Sequence, residues 1–467
     1  MVFTSSIFIF IFLPVTLLIY FLACLVQKGR EKEAIPGRIQ PKNMALFFCS
    51  VVFYAWGGIK YALLLLFSAF VNYEIGRFLG KTKGKQKKLV LTVGVFWNLG
   101  LLFWFKYMNW IVPSLKIVLP IGISFFTFQI MSYLFDVYYE TVPVQESFTD
   151  LGLYIMLFPQ LIAGPIVRYS DVNNEIGCRK SSFDDIHGGI LRFMTGFSKK
   201  IFLANAMGVI ADASFKAVDW LNTGHAWLGL LSYSLQIYLD FSAYSDMAIG
   251  LGRIFGFHFL ENFNYPYISQ SVQEFWRRWH ISLSTWFRDY VYIPLGGSRK
   301  GTERTYLNLM IVFLLTGIWH GASWNFVLWG IYFGILLILE RIFLGGILKK
   351  IPAVFRHVYT LIAVFLGWVL FRADDLTAAA KYYKALFSFD FTNYGTFSIM
   401  EHIDKEYVLM LIISLIVCLP VGKTVREKIR GKEAAELTCD LMTVGVFLLA
   451  VLYMVGTNFN PFIYFRF

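Results

Sequence analysis

Residues 304–341 read RTYLNLMIVFLLTGIWHGASWNFVLWGIYFGILLILER, and this stretch decides the fold class. It contains two apolar runs, 304–319 and 321–341, which meet at His320. A helix needs roughly 20 mostly apolar residues to cross a hydrocarbon core about 30 Å thick. Because hydrocarbon cannot satisfy backbone polar groups and no alternating strand pattern is present, each run is expected to be a helix. The sequence predicts a membrane-embedded hairpin with an imidazole near its tip or at depth.

The same apolar character extends along the whole chain, since 57% of its 467 residues are hydrophobic and 15% are charged. Aromatic residues make up 19%, which fits Phe facing lipid and Trp and Tyr at the two interfaces. Residues 1–467 show no internal repeat and no long linker, so a single domain is expected. We predict an all-α integral membrane protein with about 11–12 spanning helices, near 3–26, 43–57, 60–79, 89–110, 119–139, 190–212, 226–252, 304–319, 321–341, 354–371, 405–422 and 439–457.

The net charge of +12 is carried largely by basic loops, at 28–42, 81–88, 277–304 and 423–432. Loops rich in Lys and Arg mark the cytoplasmic side of a membrane protein, which places both termini outside the cytoplasm. No separate basic domain is present, so membrane lipid rather than nucleic acid is the expected surrounding. The five Cys residues are scattered singly and predict neither a metal site nor disulfides.

Two stretches do not read as simple spans. Residues 151–167 are short and interrupted by Pro159, Gly164 and Pro165, which predicts a re-entrant segment. Residues 271–293 interleave aromatic residues with Arg and Asp, which predicts one amphipathic helix at the interface. On that helix His280 would share a face with Trp276 and Ser284, where it either binds substrate or is solvated by headgroups.

His320 is the first candidate for chemistry. Ionisable groups at membrane depth usually face a bundle interior or a water-filled cavity, and a neutral imidazole there can act as a general base. Gly317 and Gly321 allow close approach to the ring, and a continuous helix would place Thr316 and Trp324 on its face. The alternative is a packing histidine bonded to a neighbouring carbonyl.

Asp240 and Asp246 are the other charges that look buried. Arg253 lies seven residues beyond Asp246, and a structural ion pair between them is the default interpretation. No G-x-S-x-G elbow, phosphate-binding loop or H-E-x-x-H motif is present, which excludes the soluble hydrolase and nucleotidase classes that use them.

Four segments carry a resemblance to a known family. FWRRWHISLSTWFRDYVYIPLGG (275–297) and WHGASWNFVLWG (319–330) closely resemble the membrane-bound O-acyltransferase (MBOAT) family. FPQLIAGPIVRYSD (158–171) and DFSAYSDMAIGLGRIFGF (240–257) resemble its bacterial branch for alginate and peptidoglycan O-acetylation, which is related to the teichoic acid D-alanyl transferase. The similarity covers nearly the whole chain.

The resemblance implies a helical bundle around a central funnel or tunnel in the bacterial cytoplasmic membrane. It implies no bound cofactor, acetyl-CoA as the cytoplasmic thioester donor, a cell-surface polysaccharide as acceptor, and an extracytoplasmic acetyltransferase as a partner that finishes the transfer. His320, in its W-H-G motif, is implied as essential, with His280 as a second functional residue. Expected substrate-binding residues are Trp276, Trp279, Trp319, Asn325, Asp240 and Asp246.

The tail, residues 458–467, ends in an F-x-Y-x-x-F arrangement of Phe462, Tyr464 and Phe467. It is similar to the tail of the small companion protein in lipoteichoic acid D-alanylation systems, whose tyrosine is implicated as an acyl relay. That similarity implies Tyr464 as a catalytic acyl relay with His320 as its base. An aromatic interfacial anchor is the alternative.

Two other functions stay open at this point. One is D-alanyl transfer from a carrier-protein thioester to teichoic acid, and the other is a non-enzymatic transporter in which His320, Asp240 and Asp246 line a path.

Overall fold

The computed structural model describes residues 1–28, 40–162, 164–392 and 403–456, and every regular element in these ranges is helical. The helices are α1 Leu13–Lys28, α2 Pro41–Ala55, α3 Ile59–Lys81, α4 Gly84–Ile111, α5 Ile123–Tyr138, α6 Phe148–Met156, α7 Phe158–Leu161, α8 Tyr169–Cys178, α9 Phe183–Ser198, α10 Asn205–Lys216, α11 Thr223–Ile254, α12 Val272–Arg278, α13 Ile281–Phe287, α14 Thr302–His320, α15 Trp324–Leu339, α16 Gly345–Leu348, α17 Ala353–Arg372, α18 Leu376–Phe387, α19 Lys405–Val417, α20 Val421–Ile429 and α21 Glu433–Gly456. The predicted all-α membrane fold is confirmed.

Six helices in the described residues are long and apolar enough to cross a membrane, or seven if the bent pair α19 and α20 is one span. The prediction of 11–12 spans also counts helices that do not pass this test of length and composition, among them α2 and α5, which have only 15 and 16 residues against the roughly 20 needed. The candidate spans are Phe8–Gln27, Ile59–Lys81, Gly84–Ile111, Trp324–Leu348, Ala353–Arg372 and Glu433–Gly456.

The described residues group into two compact units by their mutual contacts. The first unit consists mainly of Met1–Phe193 and Ser245–Leu260, and the second of Met194–Tyr244 and Glu261–Tyr453. This grouping does not test the single domain expected over residues 1–467, which stays a prediction.

Phenylalanine rings and buried amides hold the first unit together. The Phe12 ring lies 5.4 Å from Phe53 and 5.3 Å from Phe158, centroid to centroid. Asn72 on α3 and Asn98 on α4 exchange side-chain hydrogen bonds of 3.1 and 2.7 Å, which satisfy both amides inside the unit.

The predicted re-entrant stretch 151–167 lies in the first unit. Its helix is interrupted at Leu157, between α6 and α7. Ser147 caps α6, because its hydroxyl accepts the Asp150 N–H at 3.3 Å. Residues 151–162 are buried, and the re-entrant path stays a prediction.

The second unit is built around the hairpin of α14 and α15, with α17 packed against α15. Its core includes three fully buried rings, Trp329, Phe333 and Trp368. These large rings pack closely against one another, and their packing holds the hairpin within the second unit.

Candidate active site

His320 lies at the tip of the hairpin. It is the last residue of α14, Gly321 is extended with φ of −169°, and α15 begins at Trp324. The imidazole is buried, as expected for a group that faces a protein interior. The expectation that Trp324 shares its helical face is wrong, since the helix ends at His320 and Trp324 is 60% exposed.

Two glycines bring the arms of this hairpin together. A Cβ atom at Gly317 would collide with the carbonyl oxygen of Phe326, and one at Gly330 with the carbonyl oxygen of Phe313. The absence of side chains therefore lets the two backbones touch, as small residues do between membrane helices. This close packing fixes the position of the tip that carries His320.

Aromatic rings surround the imidazole of His320. Its ring centroid lies 5.1 Å from Trp319, 5.2 Å from Trp329 and 4.9 Å from Phe371, all at steep interplanar angles. Edge-to-face contacts of this kind hold a ring in one orientation. The surroundings are apolar, so a proton-transfer group here is shielded from bulk solvent.

His280 lies between two short helices, so the single continuous helix predicted over 271–293 is wrong. Helix α12 ends at Arg278, α13 begins at Ile281, and His280 adopts a left-handed conformation with φ of 45°. Trp276 and Ser284 therefore do not share a helical face with it. His280 is only 2% exposed, which also contradicts solvation by headgroups.

The hydrogen bonds of Asn262 determine the tautomer of His280. Asn262 Oδ1 accepts the backbone N–H of Ser282 at 3.3 Å, a group that can only donate, so this amide atom is the oxygen. The Ser282 hydroxyl donates to the same oxygen at 2.9 Å, and His280 Nδ1 lies 3.1 Å from it. His280 Nδ1 must therefore carry the proton and donate it, which leaves a lone pair on Nε2.

The Nε2 atom of His280 is buried and has no hydrogen-bond partner among the described residues. His280 lies outside the candidate spans, and burial lowers the pKa of its imidazole to about 3, so the ring is neutral at physiological pH. A neutral ring with a fixed tautomer offers its Nε2 lone pair as a hydrogen-bond acceptor, and the lowered pKa makes it a weaker base than an ordinary imidazole.

Trp319 connects the two histidines. Its ring lies 6.3 Å from the His280 ring and 5.1 Å from the His320 ring, so three of the predicted site residues meet in the second unit. Asn325 reinforces the tip, because its amide donates to the carbonyl oxygen of Ala373 at 2.7 Å.

Trp276 on α12 and Trp279, just after this helix ends, belong to the same aromatic cluster. The Trp276 ring lies 5.4 Å from Trp329, and the Trp279 ring lies 4.9 Å from Trp368. The indole N–H groups of Trp276 and Trp329 are buried and find no acceptor among the described residues. These are donors that a ligand oxygen would satisfy.

The two aspartates are ion-paired and lie in different units. The Asp240 carboxylate lies 2.6 Å from Lys200 Nζ in the second unit, an ion pair in which both side chains are buried. Asp246, in the first unit, pairs with Arg192 at 3.0 Å and not with Arg253 as the spacing suggested. Tyr464 and the tail 458–467 lie outside the described residues.

A third histidine, His258, forms a separate cluster in the first unit. Its Nδ1 lies 2.9 Å from Glu175 and its Nε2 lies 3.2 Å from Asp185. Only an imidazolium can donate to both carboxylates. Burial alone would lower the pKa of His258, but these hydrogen bonds outweigh it and raise the pKa above its ordinary value.

Sequence reasoning missed Asn262 and Trp329. Asn262 contacts His280 across 18 residues of chain, and no local pattern reports such a contact. Trp329 was visible in the quoted motif, but its burial beside His320 depends on how the hairpin folds.

Comparison with known proteins gives a consistent result. Residues 46–377 match the model of the membrane-bound O-acyltransferase family. The chain is 38% identical to a probable alginate O-acetylase, AlgI, of Pseudomonas putida, with 100% of both chains covered. It is 35% identical to the peptidoglycan O-acetyltransferase of Helicobacter pylori, over 83% of this chain and 80% of the relative. It is 28% identical to the teichoic acid D-alanyltransferase of Bacillus subtilis, over 50% of this chain and 61% of the relative.

Proposed function

The chain belongs to the membrane-bound O-acyltransferase family, and from that membership we propose that it moves acetyl from acetyl-CoA to hydroxyls of an extracytoplasmic polysaccharide. It is a multi-pass membrane enzyme, so the transporter considered as an alternative is set aside. The names of the alginate and peptidoglycan relatives support the acetyl group and the polysaccharide acceptor. The basic loops support a cytoplasmic donor side and an outer C-terminus in the cytoplasmic membrane.

The observation that carries this proposal is the meeting of two buried histidines around Trp319. Acyl transfer to an alcohol needs a base, because a hydroxyl is a weak nucleophile until its proton is removed. We assign the general base to His320 and a second acceptor to His280, whose Nε2 lone pair is already available.

The reaction then runs in two steps, addition of the hydroxyl to the thioester and departure of the thiol. As the hydroxyl oxygen forms a bond to the thioester carbonyl carbon, the imidazole takes the hydroxyl proton and the carbonyl oxygen becomes negative. The carbonyl reforms as the carbon–sulfur bond breaks, and the departing sulfur receives the proton from the imidazolium. The indole N–H groups of Trp276 and Trp329 are suited to stabilise the transient oxyanion.

Tyr464 is the proposed relay in the outer half of the reaction. Its phenol would take the acetyl group first, with His320 as base, and pass it to the polysaccharide or to an extracytoplasmic acetyltransferase. If the tail is only an aromatic anchor, Tyr464→Phe should leave acetyl transfer unchanged, because this substitution removes only the hydroxyl. Normal expression with lost transfer would support the relay, and unchanged transfer would reduce the tail to an anchor.

Purified protein in lipid nanodiscs, incubated with radiolabelled acetyl-CoA and a polysaccharide acceptor, tests the proposed function. Label should pass to the acceptor with wild type and not with His320→Ala, while exposed His187→Gln serves as the matched control. D-alanyl carrier protein is the competing donor. Transfer of D-alanine without transfer of acetyl would replace the proposed donor, and full activity of His320→Ala would contradict the assigned base.

A further inference from the structure

A cavity of about 280 Å³ lies in the second unit, away from the two histidines. It forms where α15 passes into the π-helical segment Glu340–Leu344 and where the chain enters α12. Its walls include Ser271, Gln273, Glu340, Arg341, Lys349 and Arg356. Nothing in the chemistry described above uses these side chains.

The charge of this cavity is positive. Arg341, Lys349 and Arg356 form no ion pair with any described residue, and the buried Nε of Arg356 finds no acceptor there. The two carboxylates in the walls are already engaged. Glu274 pairs with Arg278 at 2.9 Å, and Glu340 accepts backbone N–H groups.

Glu340 is held as part of the wall. Its carboxylate accepts the N–H groups of Val272 at 2.7 Å and Gln273 at 2.9 Å, and the Tyr359 hydroxyl at 3.2 Å. These bonds satisfy the carboxylate without using any of the three cations. An anion with several acceptor oxygens is the ligand that the remaining donors fit.

The position of the cavity indicates which side of the membrane its ligand comes from. Lys349 and Lys350 lie in the short connection between the candidate spans Trp324–Leu348 and Ala353–Arg372. Short basic connections lie on the cytoplasmic side. From Glu340 to Trp324, next to the hairpin tip, the helix runs 16 residues, or roughly 24 Å at 1.5 Å per residue.

A row of aromatic rings connects the two regions. Helix α12 starts at the cavity wall and carries Trp276, whose ring lies 5.4 Å from Trp329, and the Trp329 ring lies 5.2 Å from His320. A ligand anchored by its phosphate in the cavity and carrying a long flexible arm would have its far end directed along this row.

We propose that this basic cavity binds the phosphate of a phosphopantetheine thioester and so holds the acyl donor while its arm extends toward His320. The proposal rests on the proposed function, since it requires a thioester donor. Coenzyme A and an acyl carrier protein share this phosphopantetheine phosphate, and an anionic lipid headgroup is the competing source of phosphate.

The test uses full-length protein in nanodiscs and compares Lys349→Gln and Arg356→Gln with Lys350→Gln, a neighbouring exposed lysine outside the cavity wall. Each cavity variant should weaken coenzyme A binding about tenfold, as expected for loss of a charge-assisted contact, with Lys350→Gln unchanged. Pantetheine, which lacks the phosphate, should bind all four proteins equally. Acetyl transfer should show a KM raised by the same factor with kcat retained.

Two further measurements, one with a carrier protein and one with a lipid, identify the source of the phosphate. The same KM pattern with an acetylated carrier protein instead of coenzyme A supports the site with that donor. The proposal is overturned if the cavity variants alter only phosphatidylglycerol retention by native mass spectrometry, or if wild type transfers acetyl and the variants keep its KM. Absence of any acetyl transfer by wild type would instead overturn the proposed function.

Discussion

Replacing Asn262 by alanine should lower both stability and turnover, and the structure gives a size for each effect. Asn262 Oδ1 accepts three hydrogen bonds, from His280 Nδ1, the Ser282 N–H and the Ser282 hydroxyl. A neutral hydrogen bond contributes about 1 kcal/mol net, so Asn262→Ala should lower the free energy of unfolding by about 3 kcal/mol. Most of that loss is structural and would accompany any change that removes this acceptor oxygen.

The catalytic part of the effect comes from the tautomer of His280. Losing a bond of about 1 kcal/mol changes the ratio of the two neutral tautomers roughly fivefold, which protonates Nε2 in part of the population. We expect kcat per folded enzyme to fall by up to about fivefold, since a protonated Nε2 has no lone pair with which to accept from a substrate hydroxyl. Asn262→Asp keeps an acceptor for all three donors and should retain more of the rate than Asn262→Ala.

The assay is steady-state acetyl transfer by nanodisc-reconstituted protein, normalised to the folded fraction from a thermal unfolding curve. Asn264→Ala is the matched control, because the structure uses only the backbone of that exposed residue in its contacts with Arg278. An Asn262→Ala enzyme that is destabilised yet turns over at the wild-type rate would refute the link between tautomer and catalysis.

Three further predictions follow from single contacts. Asp240→Asn leaves the Lys200 ammonium buried without its carboxylate and should cost about 3–5 kcal/mol in thermal or denaturant unfolding, with recovery in Asp240→Asn/Lys200→Met. Trp329→Phe keeps an aromatic ring, although a smaller one, but removes the indole N–H and should lower kcat about 100-fold, whereas Trp324→Phe on the exposed face should not; equal rates for wild type and Trp329→Phe would exclude the oxyanion role. Because the pKa of His258 is raised, its hydrogen bonds to Glu175 and Asp185 stabilise the protein below about pH 6.5. This stabilisation is lost as pH rises through the pKa of the folded protein. Wild type should therefore lose thermal stability relative to His258→Gln from pH 6 to pH 8, by less than about 1 kcal/mol because the ring is half exposed, and parallel pH profiles would contradict this.

The hairpin around His320 could be predicted from the sequence because its signal is local. Two neighbouring apolar runs joined at one polar residue have few alternatives to a helical hairpin in hydrocarbon. The glycines flanking His320 were also readable, and the structure places Gly317 against backbone. Apolar character alone does not separate spanning helices from helices buried in protein, because a buried helix such as α5, which is only 16 residues long, is as apolar as a membrane-spanning one.

The break at His280 was beyond local reasoning. No Gly or Pro interrupts residues 271–293 before Pro294, so helix propensity favours one continuous element. The left-handed conformation of His280 is held instead by Asn262, far away in sequence. The partner of Asp246 was missed for the same reason, since Arg192 lies on another helix and the i to i+7 rule considers only one.

Both histidines lie where a helix stops, and this has a physical reason. Irregular backbone at membrane depth is tolerated only where protein buries it or a water-filled cavity borders it. A histidine within a helix must share its face with apolar neighbours, whereas His320 at the end of α14 and His280 before α13 project from chain breaks into the protein interior. These breaks are therefore the positions at which this fold can hold an imidazole inside the protein. A substitution that extends α12 through His280 should abolish transfer even though it removes no polar atom.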